Sequence, residues 1–193
     1  MTREELLTLF EKVGALQAGH FQLTSGLHSA QYIQCAAVFE YPKTAGKIVK
    51  QLVGQLPKGV DTVIAPAIGG INLGYEVARS LGCRFVFTER ENGLMALRRG
   101  FALKPQERVL VVEDVVTTGG SVKEVLDIAR QHNCTILGVA SLVDRSQGKA
   151  DFEVPFVSLL SMRIETYRPE ECPLSTAGQP ITKPGSRSSS GLQ

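Results

Sequence analysis

The sequence predicts an α/β fold, a mostly parallel central sheet flanked by helices. Three observations carry this. From residue 60 onward, short apolar runs alternate with segments of helical period, the pattern of a sheet whose strands are joined by crossover helices. The run Val109-Leu110-Val111-Val112 is apolar without interruption, as a strand covered on both faces requires. A length of 193 residues with 43% hydrophobic and 21% charged residues is enough for one domain with a sizeable core.

Each element follows from local chemistry. Thr2 and Glu5 form a capping box, and Leu6, Leu7, Phe10 and Val13 repeat at helical spacing until Gly14. Residues 19–41 mix polar and aromatic side chains without a sustained helical period and read as a loop with short strands. Pro42 suits the first turn of a second helix, whose stripe of Ala45, Ile48, Val49, Leu52, Val53 and Leu56 stops at Pro57 and Gly59. Strands are then expected at 62–65, 84–88, 108–112 and 135–143, with helices at 72–81 and 122–132. In such sheets ligands bind beyond the carboxyl ends of the strands, which singles out the loops at 66–71, 89–100, 113–121 and 144–149. Residues 173–193 hold three Pro, three Gly and five Ser with no aromatic residue, the composition of a flexible tail. The single domain therefore spans 1–172.

Composition excludes several classes. Lys and Arg number 21 against 19 acidic residues, and no basic stretch interleaved with aromatics offers a nucleic-acid groove. The charged amino terminus lacks the apolar core of a signal peptide, and no apolar run is long enough for a membrane span, so a cytoplasmic protein is expected. Cys35, Cys83, Cys134 and Cys172 lie 38 or more residues apart, without zinc-knuckle spacing, and read as buried thiols. His20, His28 and His132 stand apart from acids and cysteines along the chain, so no catalytic or metal-ligand spacing is visible.

The richest stretch is Glu113-Asp114-Val115-Val116-Thr117-Thr118-Gly119-Gly120-Ser121, which follows the apolar strand and opens a helix. Its turn offers hydroxyls and backbone N–H groups at a helix amino terminus, where an anion such as a phosphate is favoured. The two carboxylates would repel that anion and must face something else. Vicinal ribose hydroxyls or a magnesium ion would satisfy them, so the combined ligand reads as a phosphorylated sugar. A plain helix cap with solvated acids is the structural alternative. Neither GxxxxGK[ST] nor GxGxxG is present.

This stretch resembles the phosphoribosyl diphosphate signature of the type I phosphoribosyltransferases. Phe21-Gln22-Leu23-Thr24-Ser25-Gly26-Leu27-His28-Ser29, with Tyr32 beyond it, is similar to the amino-terminal segment of the orotate-using members, as is Ser141-Leu142-Val143-Asp144-Arg145. The resemblance covers roughly residues 3–172. It implies a type I fold with a small hood built from residues 1–41 over a core of residues 42–172. It also implies transfer of ribose 5-phosphate from phosphoribosyl diphosphate to orotate with Mg2+, in pyrimidine biosynthesis, by a homodimer. Glu113 and Asp114 would hold the ribose hydroxyls, Val115, Val116, Thr117, Thr118, Gly119, Gly120 and Ser121 the 5-phosphate, and Ala67, Ile68, Gly69 and Gly70 the diphosphate. Thr117 and Arg145 would contact orotate, a guanidinium being suited to pair with both carboxylate oxygens. Other readings are a purine phosphoribosyltransferase and a phosphoribosyl-diphosphate sensor on the same fold.

Two departures from that family stand out. Many orotate-using members carry a lysine where this chain has Gly69, which reduces the side-chain charge of the loop. Their mobile loop rich in Lys with a His is replaced here by residues 89–100, shorter, with Arg90, Arg98 and Arg99 as its cations. At least one of the three is assigned to the diphosphate, acting across the dimer interface, and Arg90 and Arg99 are counted with Asp114 as catalytic. An alternative is a basic hairpin on the surface.

Overall fold

The structure, a computed structural model, describes residues 1–184. Helix α1 spans Arg3–Lys12 and opens with the expected capping box: the Thr2 hydroxyl accepts from the Glu5 N–H, and the Glu5 carboxylate accepts from the Thr2 N–H. Strands β1 (Leu16–Gln22) and β2 (His28–Ile33) pair antiparallel as a separate two-stranded sheet, the hood. A short helix α2 (Ala36–Phe39) leads into α3 (Pro42–Val53), which has Pro42 in its first turn.

The core sheet contains β3 (Thr62–Pro66), β4 (Arg84–Glu91), β5 (Leu94–Leu97), β6 (Arg108–Val116), β7 (Thr135–Asp144) and β8 (Phe156–Ser161). Their order is β5-β4-β3-β6-β7-β8, and every neighbouring pair is parallel except β4 and β5. Helix α4 (Gly70–Leu81) connects β3 to β4, and α5 (Gly120–Gln131) connects β6 to β7. The apolar run of β6 is divided by the pleat. Leu110 and Val112 pack in the layer of α1, α3 and α4, with Leu6, Phe10, Ile48, Leu52, Leu73 and Val77. Val109 and Val111 pack on the opposite face against Val122, Val125, Leu126 and Ala129 of α5. Each such side chain contributes about 1.5–3 kcal/mol by leaving water, so the sheet that carries the loops is rigid.

Four sequence expectations change. Strand β6 runs to Val116, so Glu113 and Asp114 belong to the strand rather than to the loop after it; Glu113 is in register with Ser141. Residues 89–97 form the surface hairpin that was the alternative to a loop. Asn92 and Gly93 both take positive φ, 52° and 86°, as a two-residue turn between right-twisted strands requires. An unforeseen strand, β8, completes the edge beside β7.

The fourth change concerns the segment after Cys172, expected to be loose. It begins as a short helix, α6 (Pro173–Thr176), and returns to the hood, where Thr182 N–H donates to the His20 carbonyl and Gln22 N–H donates to the Thr182 carbonyl. Backbone pairing with the exposed edge of β1 holds it there. The remaining tail residues, 185–193, lie outside the described residues. No helix among the described residues is long and apolar enough to cross a membrane.

Candidate active site

The sheet changes direction between β3 and β6: the chain leaves β3 toward β4 on one side, and β6 is added on the other. Connections diverge there and open a crevice at the carboxyl ends of the two strands. The loop from β3, Ala67-Ile68-Gly69, meets the end of β6 in that crevice. A Cβ on Gly69 would lie 2.8 and 2.9 Å from the Asp114 carboxylate oxygens, and one on Gly70 would lie 3.2 Å from Glu113 Oε1. A side chain at 69 is therefore excluded while Asp114 stands where it does, which is the local reason for glycine in place of lysine. The Ala67–Ile68 peptide is cis, and Ile68 is exposed.

The two carboxylates are held by their own backbone. Asp114 Oδ1 accepts from the Val115 N–H at 2.8 Å, and Glu113 Oε1 accepts from the Asp114 N–H at 3.1 Å. No salt bridge to either acid is found among the described residues. Burial, and then the neighbouring Asp114 charge, push the Glu113 carboxyl up to about 9. Burial and the same two acids raise the Cys35 thiol, whose Sγ lies 3.9 Å from the Asp114 carbonyl. An acidic pair without a protein cation suits hydroxyl donors and a hard divalent ion that prefers oxygen ligands.

Past Val116 the chain turns into α5. Gly119 takes φ +78°, and a Cβ there would come within 2.7 Å of the Phe152 ring, so both conformation and space call for glycine. Glu113, Val115, Val116, Thr117, Thr118, Gly119, Gly120, Ser121 and Val122 line a small hollow of about 60 Å³ at the start of the helix. Its backbone donors and the helix dipole favour a single compact anion. Thr117 and Thr118 are exposed at its rim.

Beside it a larger cavity of about 570 Å³ lies between hood and core, with Thr24, Ser25, Tyr32, Thr117, Arg145 and Ile164 in its wall. Arg145 sits past the end of β7, its N–H donating to the Val116 carbonyl. The ion pair with Asp144 that sequence adjacency suggests is not formed, because Asp144 Oδ1 accepts from the Ser146 N–H at 2.7 Å instead. Arg145 Nε is buried and has no hydrogen-bond partner, and burial lowers its pKa from the ordinary value. A half-buried guanidinium whose buried Nε has no partner favours an anion. Tyr32 is half-buried nearby, its phenol raised chiefly by burial.

The structure thus brings Ala67 to Gly70, Glu113 to Ser121 and Arg145 to one end of the sheet. It does not bring the loop arginines into that group. Arg90 pairs with Glu124 of α5 at 2.7 Å, Arg98 with Glu91 at 3.4 Å and Arg99 with Glu89 at 2.7 Å, Arg99 also lying 5.8 Å from the centre of the Phe87 ring. Sequence reasoning missed Ile164 and Thr166, which reach the cavity only because β8 lies beside β7 and the chain continues past it. No periodic signal marks them.

Comparison with known proteins places this geometry. Residues 38–171 match the family described as Phosphoribosyl transferase domain. Over 189 residues, 97% of this chain and 99% of the relative, the sequence is 56% identical to an orotate phosphoribosyltransferase of a Thermoanaerobacter species. The crystal structure of orotate phosphoribosyltransferase from Aeropyrum pernix superposes with a TM-score of 0.70 at 27% identity, covering 81% of this chain and 93% of that one. Adenine phosphoribosyltransferase from Thermoanaerobacter pseudethanolicus shares the fold at 18% identity, with a TM-score of 0.61 over 68% of this chain and 88% of that one. By sequence over nearly its whole length and by the architecture of its crevice, the chain belongs to the orotate phosphoribosyltransferases, within the phosphoribosyl transferase domain family.

Proposed function

We propose that the chain transfers ribose 5-phosphate from phosphoribosyl diphosphate to N1 of orotate, forming orotidine 5′-phosphate and releasing diphosphate in pyrimidine biosynthesis. The observation that carries the choice of base is Arg145, a half-buried side chain whose buried Nε has no hydrogen-bond partner, in a cavity large enough for a pyrimidine. A carboxylated base supplies the missing anion, whereas a purine would leave it unpaired. A sensor that binds nucleic acid would need a basic face, and a net charge of +2 does not supply one.

The reaction breaks the bond from the ribose C1 to the diphosphate oxygen and the N1–H bond of orotate, forms the bond from C1 to N1, and leaves the N1 proton to the departing diphosphate or to solvent. Positive charge builds on the sugar as the leaving group departs, and negative charge builds on the diphosphate. Residues 117–121 grip the 5-phosphate with backbone donors, and Glu113 and Asp114 accept from the ribose hydroxyls on the face where the cationic sugar develops. Backbone amides of residues 67–70 meet the diphosphate, since Gly69 brings no charge. Arg145 orients orotate so that N1 faces C1, with Thr117 at the boundary between base and phosphate. Mg2+, carried with the diphosphate, neutralises its charge when bound, and Glu113 and Asp114 are the residues whose oxygens suit it.

The loop arginines complete the reading. Arg90 and Arg99 act with Asp114 as catalytic residues by meeting the diphosphate of a neighbouring subunit in a homodimer, exchanging Glu124 and Glu89 for it. The support is their place on a hairpin that projects from the sheet edge with Leu94 at its tip 72% exposed. A cytoplasmic setting suits four cysteines that are all unpaired. The test is loss of the orotate ultraviolet band with phosphoribosyl diphosphate and magnesium present. A protein that turns over adenine or hypoxanthine but not orotate would overturn the reading.

A further inference from the structure

His20, His28 and Cys172 lie far apart in the chain, and no ligand spacing joins them. The fold brings them together in the interface between the hood and the segment that returns from the core. All three are buried, at 5%, 7% and 0% exposure. His20 Nε2 lies 2.9 Å from His28 Nδ1 and 3.6 Å from Cys172 Sγ, and one ligand atom from each residue falls within 4.8 Å of the others. Ser175 Oγ stands 3.2 Å from His28 Nδ1.

The second ring nitrogen of His20 shows what this group is arranged to hold. His20 Nδ1 lies 2.8 Å from the Gln179 carbonyl oxygen, which can only accept, so Nδ1 carries the proton and Nε2 presents its lone pair to the cluster. A backbone carbonyl fixing the tautomer of an imidazole is the usual outer support of a metal-binding histidine. Facing that lone pair are a second imidazole nitrogen and a thiol, both ligands of a borderline-soft ion. With bonds of about 2.0–2.1 Å to nitrogen and about 2.3 Å to sulfur, a tetrahedral zinc ion spaces its ligand atoms ~3.3 Å (N to N) and ~3.6 Å (N to S) apart. The His20–Cys172 separation of 3.6 Å matches, the two rings at 2.9 Å must spread, and with all ligand atoms within 4.8 Å of one another the Cys172 side chain closes any remaining gap by turning about its Cα–Cβ bond.

We infer that His20 Nε2, His28 Nδ1 and Cys172 Sγ form a zinc site, with an oxygen ligand beside Ser175 Oγ in the fourth position, that fastens the returning carboxyl-terminal segment to the hood. On binding, the Cys172 thiol proton leaves to solvent and the sulfur becomes a thiolate. His20 keeps its proton on Nδ1 toward Gln179, and His28 holds its proton on Nε2, so two neutral rings and one anion meet the dication. The site is separate from the acidic pair of the crevice and adds a metal tie to the backbone hydrogen bonds at Thr182 and Tyr167 and the side-chain bond from Ser29 to the Glu165 carbonyl, which already join these elements. The role is structural, because the three side chains are buried.

The test uses the full chain, stripped with a chelator and titrated with Co2+ as a spectroscopic stand-in for zinc. The expected result is one cobalt ion per chain with a thiolate-to-cobalt charge-transfer band in the near ultraviolet and strong tetrahedral bands in the visible, all displaced by one equivalent of Zn2+. Cys172→Ser should lose the charge-transfer band, and His28→Gln should weaken binding by more than the ~10–100-fold typical of outer-shell partners. Zinc should also protect the peptide bonds of residues 173–182 from protease. The wild-type chain alone can overturn the inference. No cobalt bound, or only the weak spectrum of an oxygen-ligated ion such as Glu113 and Asp114 would give, means that the cluster is a hydrogen-bonded pair of histidines beside a thiol. A charge-transfer band that survives Cys172→Ser would equally overturn it.

Discussion

Glu113→Gln should make the ligand-free protein more stable while impairing its use of phosphoribosyl diphosphate. In the folded chain the Glu113 carboxyl is pushed up to about 9 from an ordinary 4.5, first by burial and then by Asp114 beside it. Between those two values the folded protein keeps a proton that the unfolded chain releases. Stability therefore falls as pH rises through this window and levels off above it. At about 1.4 kcal/mol per pH unit the cost at pH 7 has an upper limit near 3 kcal/mol, and the partial exposure of the carboxylate reduces it to about 1–3 kcal/mol. Glutamine keeps the oxygen that accepts from the Asp114 N–H and adds a donor toward the Asp114 carboxylate, without the charge. For a chain of this length each kcal/mol moves Tm by about 2–4 °C. Melts followed by circular dichroism without phosphoribosyl diphosphate or magnesium should show the two proteins nearly alike at pH 5. The variant should be several degrees more stable at pH 8. Adding both ligands should reverse the order. A variant no more stable than the parent at pH 8, or a gap that does not grow with pH, would refute the account of Glu113 as an acid held unpaired for a ligand.

Three further outcomes are expected. Arg145→Ala should raise the KM for orotate about tenfold or more, the loss of a charge-assisted pair of about 1.5–3 kcal/mol, and change that for phosphoribosyl diphosphate far less; equal effects on both in steady-state kinetics would detach Arg145 from the base. Gly69→Ala should lower kcat/KM about tenfold or more with little change in melting temperature, because its Cβ would displace the Asp114 carboxylate, 2.8 Å away, rather than enter the core; unaltered kinetics would mean that Asp114 does not act from that position. Arg145→Ala subunits mixed with subunits lacking Arg90, Arg98 and Arg99 should regain activity through hybrid dimers with one intact site, whereas a fully active monomer in sedimentation would end the proposal that the hairpin acts across an interface.

How much of this could be read before folding depends on whether the signal is local. Short-range chemistry determined the α/β class: the capping box at Thr2 and Glu5, the stripe of α3, and the uninterrupted run of β6 whose alternate residues face two helical layers. The phosphate turn was legible for the same reason, since a strand end, glycines and a helix start lie within thirteen consecutive residues. The hairpin at 89–97, which the sequence offered as the alternative to a loop, also has a local mark in Asn92-Gly93. Tertiary structure alone decided the rest. Asp144 satisfies a backbone amide rather than its neighbour, which leaves the Arg145 Nε unpaired in a cavity. Gly69 is glycine because Asp114, 45 positions later, occupies the space beside it. Cys172 and His20, 152 positions apart, meet because the returning segment pairs with the edge of β1. Periodicity and capping record what a residue does with its neighbours in the chain. Contacts between distant segments are set by sheet order and packing, which no local pattern encodes.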